Sequence, residues 1–411
     1  MISEQNIFRI KTEIKHKMEI LAPVGNKEML VAAVKAGTNA IYFGVKGFNM
    51  RAAANNFSLE EIKEVVEYCH ENNVKASCTV NVIVYESELK KLEEILTALK
   101  EANIDAVICW DLAVIKKCKE LNIEIHLSTQ ASVSNSKAAK QWQELGVTRI
   151  VLARECSIED AQEIKEKSGL EIEMFVHGAR CISYSGRCFM SQELFNKSAN
   201  RGECLQPCRR EYKVIDEEGK EMIMNNNFII SAKDLCALPI LDKLQFVDSF
   251  KIEGRNRGAE YVYKVVQVYR KAIDAIKAGT FNEELIQKLI PQLKSVYNKG
   301  FSKGFFVDYP HHKRAAEYGN KATLKKIQLG KVSNFYNKLS VIEFKLESAG
   351  IKIGDKLTFT GPTTGYEEII VENIHTDNGK VKQAKKGEVV SIKLKFKARE
   401  NDKVYLVKER F

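Results

Sequence analysis

The stretch EILAPVGNKEMLVAAVKAGTNAIYFG, residues 19–44, decides the fold class of this chain. It begins with a short apolar run, EILAP at residues 19–23, and ends with a second one, AIYFG at residues 40–44. Between these runs, residues 27–36 carry apolar side chains at helical spacing. A strand, a helix and a second strand in this order predict a parallel β-α-β unit.

The same alternation continues along the chain. Further strand-like runs follow at residues 74–80, 106–110, 124–128, 149–153, 171–178 and 250–254. Amphipathic helical stretches lie between them, for example at residues 59–71, 86–102 and 158–167. Eight strands that alternate with helices predict an α/β fold, a TIM-type (β/α) barrel with its active site on the loops after the strands. A doubly wound open sheet is the alternative, because periodicity does not count strands reliably.

The pattern divides the chain into four parts. Residues 1–17 form a polar N-terminal extension, and residues 18–280 form the barrel with a cysteine-rich insertion at 178–246. Residues 281–323 are predicted to be a helical linker. From residue 324 the apolar period becomes two, which predicts a small C-terminal all-β barrel domain of about six strands at 324–411.

Composition sets the class of protein and suggests its partner. The 411 residues are 45% hydrophobic and 29% charged, as in globular proteins. The polar N-terminus and the lack of a long apolar run predict a cytoplasmic protein with reduced thiols and no membrane segment. Residues 321–411 hold 19 Lys and Arg against 11 Asp and Glu. This basic end favours nucleic acid as a partner, and a solvated lysine-rich surface is the alternative.

Cysteines are concentrated in HGARCISYSGRCFMSQELFNKSANRGECLQPCRR, residues 177–210. Cys181, Cys188, Cys204 and Cys208 lie there among polar residues, and Cys236 follows downstream. Buried structural cysteines usually have apolar neighbours, so this setting indicates ligands. The absence of a C-x2-C pair disfavours zinc, and the wide spacing favours an iron–sulfur cluster. Disulfides and incidental thiols stay open as alternatives.

These cysteines lie between the seventh and the eighth predicted strands, an interval far longer than a normal β-α connection. We expect an inserted structure there, with a hairpin at residues 212–230 that closes over the barrel mouth. Polar residues at the ends of the predicted strands point to the same mouth: Arg51, Asn81, Asp111, Gln130, Arg154, Glu155, His177, Lys251, Glu253 and Arg255. His177 and Glu253 adjoin the insertion on its two sides, which makes them candidates for moving protons. Each of these residues also has a structural interpretation as a cap, an ion-pair partner or a barrel filler.

Common hydrolase motifs are absent from the sequence. It contains no H-E-x-x-H, no G-x-S-x-G and no G-x-x-x-x-G-K-[ST] pattern. A nucleophile pair of Cys181 or Cys188 with His177 stays open, because such partners meet in space rather than in sequence. The several thiols favour a cluster over a single activated cysteine.

The motif HGARCISYSGRCFMS, with NRGECLQPCRR, SAKDLC and KIEGR behind it, resembles peptidase family U32, the collagenase-like peptidases. The residues that match the family signature are Glu173, Phe175, Gly178, Ala179, Cys181, Gly186, Cys188 and Ser191. Arg180 departs from it, since the family usually has an aliphatic residue there. The resemblance extends from the first strand through KIEGR, and the β-rich tail is similar to the family's C-terminal domain.

Within that family the layout most resembles the prephenate-dependent tRNA uridine hydroxylases, which help to make 5-hydroxyuridine at the wobble position. The resemblance implies a 4Fe-4S cluster on Cys181, Cys188, Cys204 and Cys236, and it leaves Cys208 open as a ligand. It also implies tRNA as a partner and prephenate as a co-substrate.

Together with the residue pattern, this resemblance leads to a hypothesis for the substrate contacts. The side chains expected to bind prephenate carboxylates or tRNA phosphates are Arg187, Arg201, Arg209, Lys251 and Arg255. A peptidase that matches the family name is the competing hypothesis, and an RNA-binding protein with a structural cluster is a third.

Overall fold

The fold is taken from a computed structural model, which describes residues 18–52, 55–222, 225–307, 314–315 and 319–410. The predicted N-terminal extension, residues 1–17, lies outside these described residues.

The first part of the chain forms the predicted strands and helices. The parallel strands are β1 Glu19–Pro23, β2 Ala40–Gly44, β3 Lys75–Thr79, β4 Ala106–Cys109, β5 Glu124–Leu127, β6 Arg149–Val151 and β7 Glu171–Gly178. The helices between them are α1 Lys27–Lys35, α2 Leu59–Glu71, α3 Leu89–Glu101, α4 Leu112–Glu120, α5 Ser136–Glu144 and α6 Ile158–Ser168. Side chains cap the amino ends of several helices. For example, Asn26 accepts a hydrogen bond from the amide of Met29 at the start of α1.

An eighth strand closes the sheet into a barrel. Residues 179–248 lie between β7 and this strand, Ser249–Ile252, which is β11 because the intervening segment contributes β8 to β10. Strand β11 pairs in parallel with β7 on one side and with β1 on the other, and Ser249 lies opposite both Glu173 and Glu19. The TIM-type barrel is therefore confirmed, and the open-sheet alternative is wrong. Helix α8, Ala259–Lys277, follows β11 and packs its buried face on the barrel.

Charged residues at the amino ends of the strands form a buried ion network. Arg149, at the start of β6, lies 2.7 Å from Glu19 and 2.7 Å from Glu171. Its guanidinium is also 3.5 Å from Glu173, which binds Lys251 at 2.7 Å. Ion pairs compensate the cost of burying each charge, so this network joins β1, β6, β7 and β11.

The segment between β7 and β11 is mostly irregular. It contains the helix α7 Met190–Phe195, a short antiparallel hairpin of β8 Val214–Ile215 and β9 Glu221–Met222, and β10 Asp234–Cys236 beside β7. The hairpin predicted at residues 212–230 is thus present, but each of its strands is only two residues long. Gly202 packs on the loop after β2: its φ is +83°, and an added Cβ would lie 2.3 Å from the carbonyl oxygen of Asn49. Only glycine tolerates this backbone conformation and this approach.

The segment predicted to be a linker packs against the barrel. Helix α9, Glu283–Lys294, contributes Leu289 and Leu293 to the barrel core. Strand β12, Phe301–Ser302, then pairs in parallel with β10.

The C-terminal part is all-β, as predicted, with more strands than the six expected. Its strands are β13 Leu324–Tyr336, β14 Val341–Lys345, β15 Ile351–Lys352, β16 Lys356–Gly361, β17 Gly365–Ile370, β18 Ile374–Thr376, β19 Gly379–Val381, β20 Gln383–Ala384, β21 Val389–Lys393 and β22 Lys403–Glu409. The long strand β13 pairs with β22 through its first half and with β14 through its second. Alternate residues such as Leu329, Phe344 and Phe359 form a separate hydrophobic core.

Strand β17 attaches this domain to the barrel. Glu368 accepts hydrogen bonds from Lys264 of α8 at 2.7 Å and from Tyr366 at 2.9 Å, and Lys356 is 3.0 Å away. Lys35 of α1 pairs with Glu367 at 2.5 Å. In the part of the chain that the structure describes, no helix is long and apolar enough to cross a membrane.

Candidate functional site

A cavity of about 140 Å³ opens at the carboxyl ends of the barrel strands. Its walls combine strand ends with the cysteine-rich segment. Among the described residues, the cationic side chains that line it are Arg51, Arg154, Arg180, Arg209, Lys251 and Arg255, and Glu253 is the one lining carboxylate. A cavity with this excess of positive charge favours an anionic ligand.

Glu253 is held in the cavity wall by Arg51. The Nη2 and Nε atoms of Arg51 donate hydrogen bonds of 3.0 and 3.2 Å to Oε1 of Glu253. Burial alone would raise the pKa of Glu253, but Arg51, Arg154 and Arg255 outweigh burial and lower it. Glu253 is therefore a carboxylate at neutral pH, able to accept a hydrogen bond at the cavity surface.

Other lining cations have partners within the protein. Lys251 donates to Glu173 at 2.7 Å, and its ammonium group is 4.6 Å from the centre of the Tyr42 ring. Arg255 donates to Asn49 at 2.8 Å, and burial lowers its pKa to about 10. Arg209 forms a longer ion pair with Asp234, at 3.7 Å, and its buried Nη1 has no hydrogen-bond partner among the described residues. These contacts fix the shape and the positive charge of the wall.

Arg154, which follows β6, is placed differently. Its Nε and Nη1 atoms are buried and have no hydrogen-bond partner within the described residues. The guanidinium lies over the Phe175 ring, 4.7 Å from the ring centre. Buried donors without partners are costly, so the geometry suits a guanidinium that receives a ligand oxygen. The sequence indicated Arg154 only through its position after a strand.

Four cysteines converge on this cavity. Cys181, Cys188, Cys204 and Cys208 all line it. The sulfur of Cys188 accepts a hydrogen bond from the amide of Met190, and that of Cys204 accepts one from the amide of Gln206, both at 3.4 Å. Burial raises the pKa of Cys204, with a further contribution from the nearby Cys181 and Cys188, and burial raises the pKa of Cys208 to about 11. Backbone amides that point at sulfur atoms are a common feature of iron–sulfur ligation.

Cys236 lies elsewhere. It is 2% exposed, it belongs to the barrel core through β10, and its thiol is hydrogen-bonded to Tyr269. The residues that line the cavity include Cys208 and not Cys236. The structure therefore brings together three of the four cysteines that the resemblance implied as ligands, and it adds Cys208 to them.

His177 faces a second, smaller cavity rather than the first. This cavity, of about 30 Å³, shares Arg154, Phe175, Ala179 and Arg180 with the main cavity, and most of its other lining residues are apolar, among them Phe305 and Phe306. His177 is 1% exposed and its Nδ1 lies 3.4 Å from the hydroxyl of Tyr269. Burial lowers its pKa to about 3, so the ring is neutral and weakly basic.

The remaining predicted residues lie around the mouth. Arg187 donates to Ser132 at 3.1 Å and lines a side cavity next to the main one. Arg201 donates to Glu88 at 3.0 Å and lies 5.1 Å from the centre of the Tyr85 ring.

The other predicted strand-end residues have structural contacts or line the main cavity. Asp111 caps α4, and Glu155 accepts a hydrogen bond from the amide of Ser185 at 3.2 Å. Asn81 and Gln130 line the main cavity as their strand-end positions predict.

A TIM-type barrel with four cysteines and a cationic cavity at its mouth thus defines the class of protein. The model of peptidase family U32 matches residues 25–316, so the chain belongs to this family.

Three relatives are similar over nearly their whole length. An uncharacterized protease of Methanocaldococcus jannaschii is 41% identical over 404 residues, covering 95% of this chain and 98% of the relative. A collagenase of Porphyromonas gingivalis is 40% identical, with coverages of 95% and 98%. The tRNA hydroxylation protein P1 of Bacillus subtilis is 35% identical, with coverages of 94% and 93%.

Proposed function

We propose that this protein is an iron–sulfur RNA-modifying enzyme that hydroxylates the wobble uridine of tRNA to 5-hydroxyuridine with prephenate as co-substrate. The observation that carries the proposal is the convergence of four cysteines on one cationic cavity at the barrel mouth. The similarity to a tRNA hydroxylation protein supports RNA as the substrate.

The donor set fits a cluster better than a single metal ion. Among the described residues, no three His, Cys, Asp or Glu side chains are close enough together to hold one ion. A four-iron cluster would be held by four cysteine thiolates, and the cavity has four cysteines in its lining. We propose Cys181, Cys188, Cys204 and Cys208 as the ligands. When bound, such a cluster would supply electron transfer.

The cavity wall supplies the contacts for an anionic co-substrate. Prephenate is a dicarboxylate, and hydrogen bonds from a guanidinium to a carboxylate are charge-assisted. Arg154 offers two buried donors, Nε and Nη1, which lie on different edges of its guanidinium and can each bind one ligand oxygen. The charges of Lys251 and Arg255, whose donors already bind Glu173 and Asn49, favour the second carboxylate electrostatically. Arg51 orients Glu253, which can accept a hydrogen bond from a ligand hydroxyl and so position it.

The cluster assignment is tested on protein purified without oxygen. Iron, acid-labile sulfide and the visible absorption spectrum are measured for the wild type, Cys208→Ala and Cys236→Ala. We expect about four irons per chain in the wild type and in Cys236→Ala, and loss of the cluster in Cys208→Ala. The opposite result for the two variants would restore Cys236 as the ligand.

The reaction is tested by mass spectrometry of tRNA nucleosides from a deletion strain. The wild-type gene should restore 5-hydroxyuridine, and Cys181→Ala should not. In the strain that carries the wild-type gene, an additional mutation that blocks prephenate synthesis should abolish the modification again. Full modification in that second strain would remove prephenate from the proposal and leave the hydroxylase intact.

The names of the two relatives at 41% and 40% identity favour a peptidase as the second candidate. A cysteine peptidase needs a histidine that activates its thiol. His177 lines the smaller cavity and burial lowers its pKa to about 3, which makes it a poor base for the thiols of the main cavity. Hydrolysis of gelatin by iron-free protein, abolished in Cys181→Ala and unaccompanied by tRNA modification, would establish the peptidase instead.

A further inference from the structure

A side cavity lies beside the main one and is not used by the proposed chemistry. Its volume is about 190 Å³, comparable with that of the main cavity. Trp110, Arg187 and Phe189 line it, and it shares Met50 and Gln130 with the main cavity. A ligand that extends beyond the main cavity would therefore meet this space directly.

The walls of the side cavity have the chemistry of a base-stacking site. Trp110 is held in place because its Nε1 donates a hydrogen bond of 3.1 Å to the carbonyl oxygen of Asn81. Phe189, from the cysteine-rich segment, is 67% exposed although it is a large apolar side chain. Aromatic rings left in solvent beside a cavity are a common platform for unpaired bases, because every base presents an apolar face.

The arginine side chains at this cavity favour a nucleic acid over a purely apolar ligand. The Arg187 guanidinium lies 5.9 Å from the centre of the Trp110 ring and donates to Ser132 at 3.1 Å. Further along the rim, Arg201 lies 5.1 Å from the centre of the Tyr85 ring, and Tyr85 is 53% exposed. Arginines alternating with exposed aromatic rings suit a single strand, in which phosphates alternate with bases.

We propose that the side cavity binds the base of the nucleotide next to the target nucleotide in a single-stranded RNA loop. This inference rests on the proposed function, because it assumes that the target base enters the main cavity. Trp110 and Phe189 stack on the neighbouring base, and Arg187 contacts the phosphate between the two nucleotides. Enzymes that act on a base extract it from its stack, and a bound neighbour holds the strand open.

Trp110 provides a direct reporter. The chain has two tryptophans, and Trp142 lies in α5, away from the mouth. In a Trp142→Phe protein the fluorescence comes from Trp110 alone. Titration with an anticodon stem-loop RNA should quench it through stacking. The same RNA with an abasic nucleotide beside the target uridine should bind roughly tenfold more weakly and give little quenching.

Variants test the cavity from the protein side. Phe189→Ala in the Trp142→Phe background should weaken RNA binding roughly tenfold. Leu145→Ala is the matched control, because Leu145 is 42% exposed directly after α5 and lines neither cavity, and it should leave binding unchanged.

The outcomes separate this inference from the proposed function. Equal quenching and affinity for the intact and the abasic RNA would overturn the inference, even if tRNA is hydroxylated normally. Base-dependent quenching without hydroxylation would support the inference and count against the proposed reaction. Absence of any RNA binding would overturn the inference outright.

Discussion

Arg149 and Arg154 lie at the two ends of the same barrel strand, and their surroundings differ. Arg149 begins β6 and is surrounded by three carboxylates, those of Glu19, Glu171 and Glu173. Arg154 follows β6 at the other end, and its buried Nε and Nη1 atoms have no partner among the described residues. Burying a charge is unfavourable unless a partner compensates it. A paired arginine thus indicates architecture, and an incompletely paired one indicates a ligand.

The largest effect is expected at the paired end of the strand. Arg149→Met leaves the buried carboxylates of Glu19 and Glu173 without this cation, and the free energy of unfolding should fall by about 3–5 kcal/mol. Urea unfolding followed by circular dichroism measures the loss. Adding Glu19→Gln should recover part of it. A loss below about 1 kcal/mol would mean that the network does not support the barrel.

At the cavity end, Arg154→Gln should change binding rather than folding. A hydrogen bond to a charged group contributes about 1.5–3 kcal/mol, so the Kd for prephenate should rise roughly tenfold to a hundredfold. Isothermal calorimetry measures the affinity, and thermal unfolding of the same protein checks its stability. Arg154→Lys should retain part of the affinity because it keeps the charge. Unchanged affinity together with a large loss of stability would make Arg154 structural.

His177 is buried like the two arginines, but its side chain is neutral in the native protein. Its pKa falls from the ordinary 6.5 to about 3, so below pH 6.5 the unfolded chain takes up a proton that the native protein does not. Stability is therefore full above pH 6.5 and decreases as pH falls towards 3, by about 1.4 kcal/mol per unit. Unfolding at pH 7 and pH 5 should differ by about 2 kcal/mol more in the wild type than in His177→Gln. Parallel pH profiles would contradict this.

The smallest effect is expected at the attachment of the C-terminal domain. Burial would raise the pKa of Glu368, but Lys264 and Lys356 outweigh it and lower the pKa from 4.5 to about 2. The carboxylate stabilises the protein above pH 4.5, and this contribution disappears as pH falls towards 2. Because Glu368 is about one-third exposed, solvent screening limits the contribution to about 1 kcal/mol. The stability difference between wild type and Glu368→Gln should therefore shrink between pH 6 and pH 3, and a constant difference would contradict it.

Much of the barrel could be predicted because its strands are short apolar runs in a regular series. The predicted first, second and seventh strands have the observed bounds, and the others differ by a few residues. The sequence also located the cysteine-rich segment at the mouth, since that segment interrupts the series between β7 and β11.

Residue roles were harder to predict because sequence distance does not measure distance in space. The resemblance implied Cys236 as a ligand and left Cys208 open, but pairing of β10 with β7 places Cys236 in the barrel core. Arg201 was expected to bind prephenate carboxylates or tRNA phosphates, and the structure places it outside the main cavity, next to Glu88 and the Tyr85 ring. The sequence placed Arg154 at the mouth through its position after a strand, but only its surroundings show two buried donors without partners among the described residues.

The sequence by itself determined the α/β barrel, the all-β tail and the cysteine-rich segment, because local periodicity and composition decide which elements form. The tertiary structure decided which four thiols share a cavity, which cations already have partners, and that aromatic rings border a second cavity. The physical reason is that pairing and burial depend on contacts between residues far apart in the chain, such as Lys251 with Glu173 or Arg51 with Glu253.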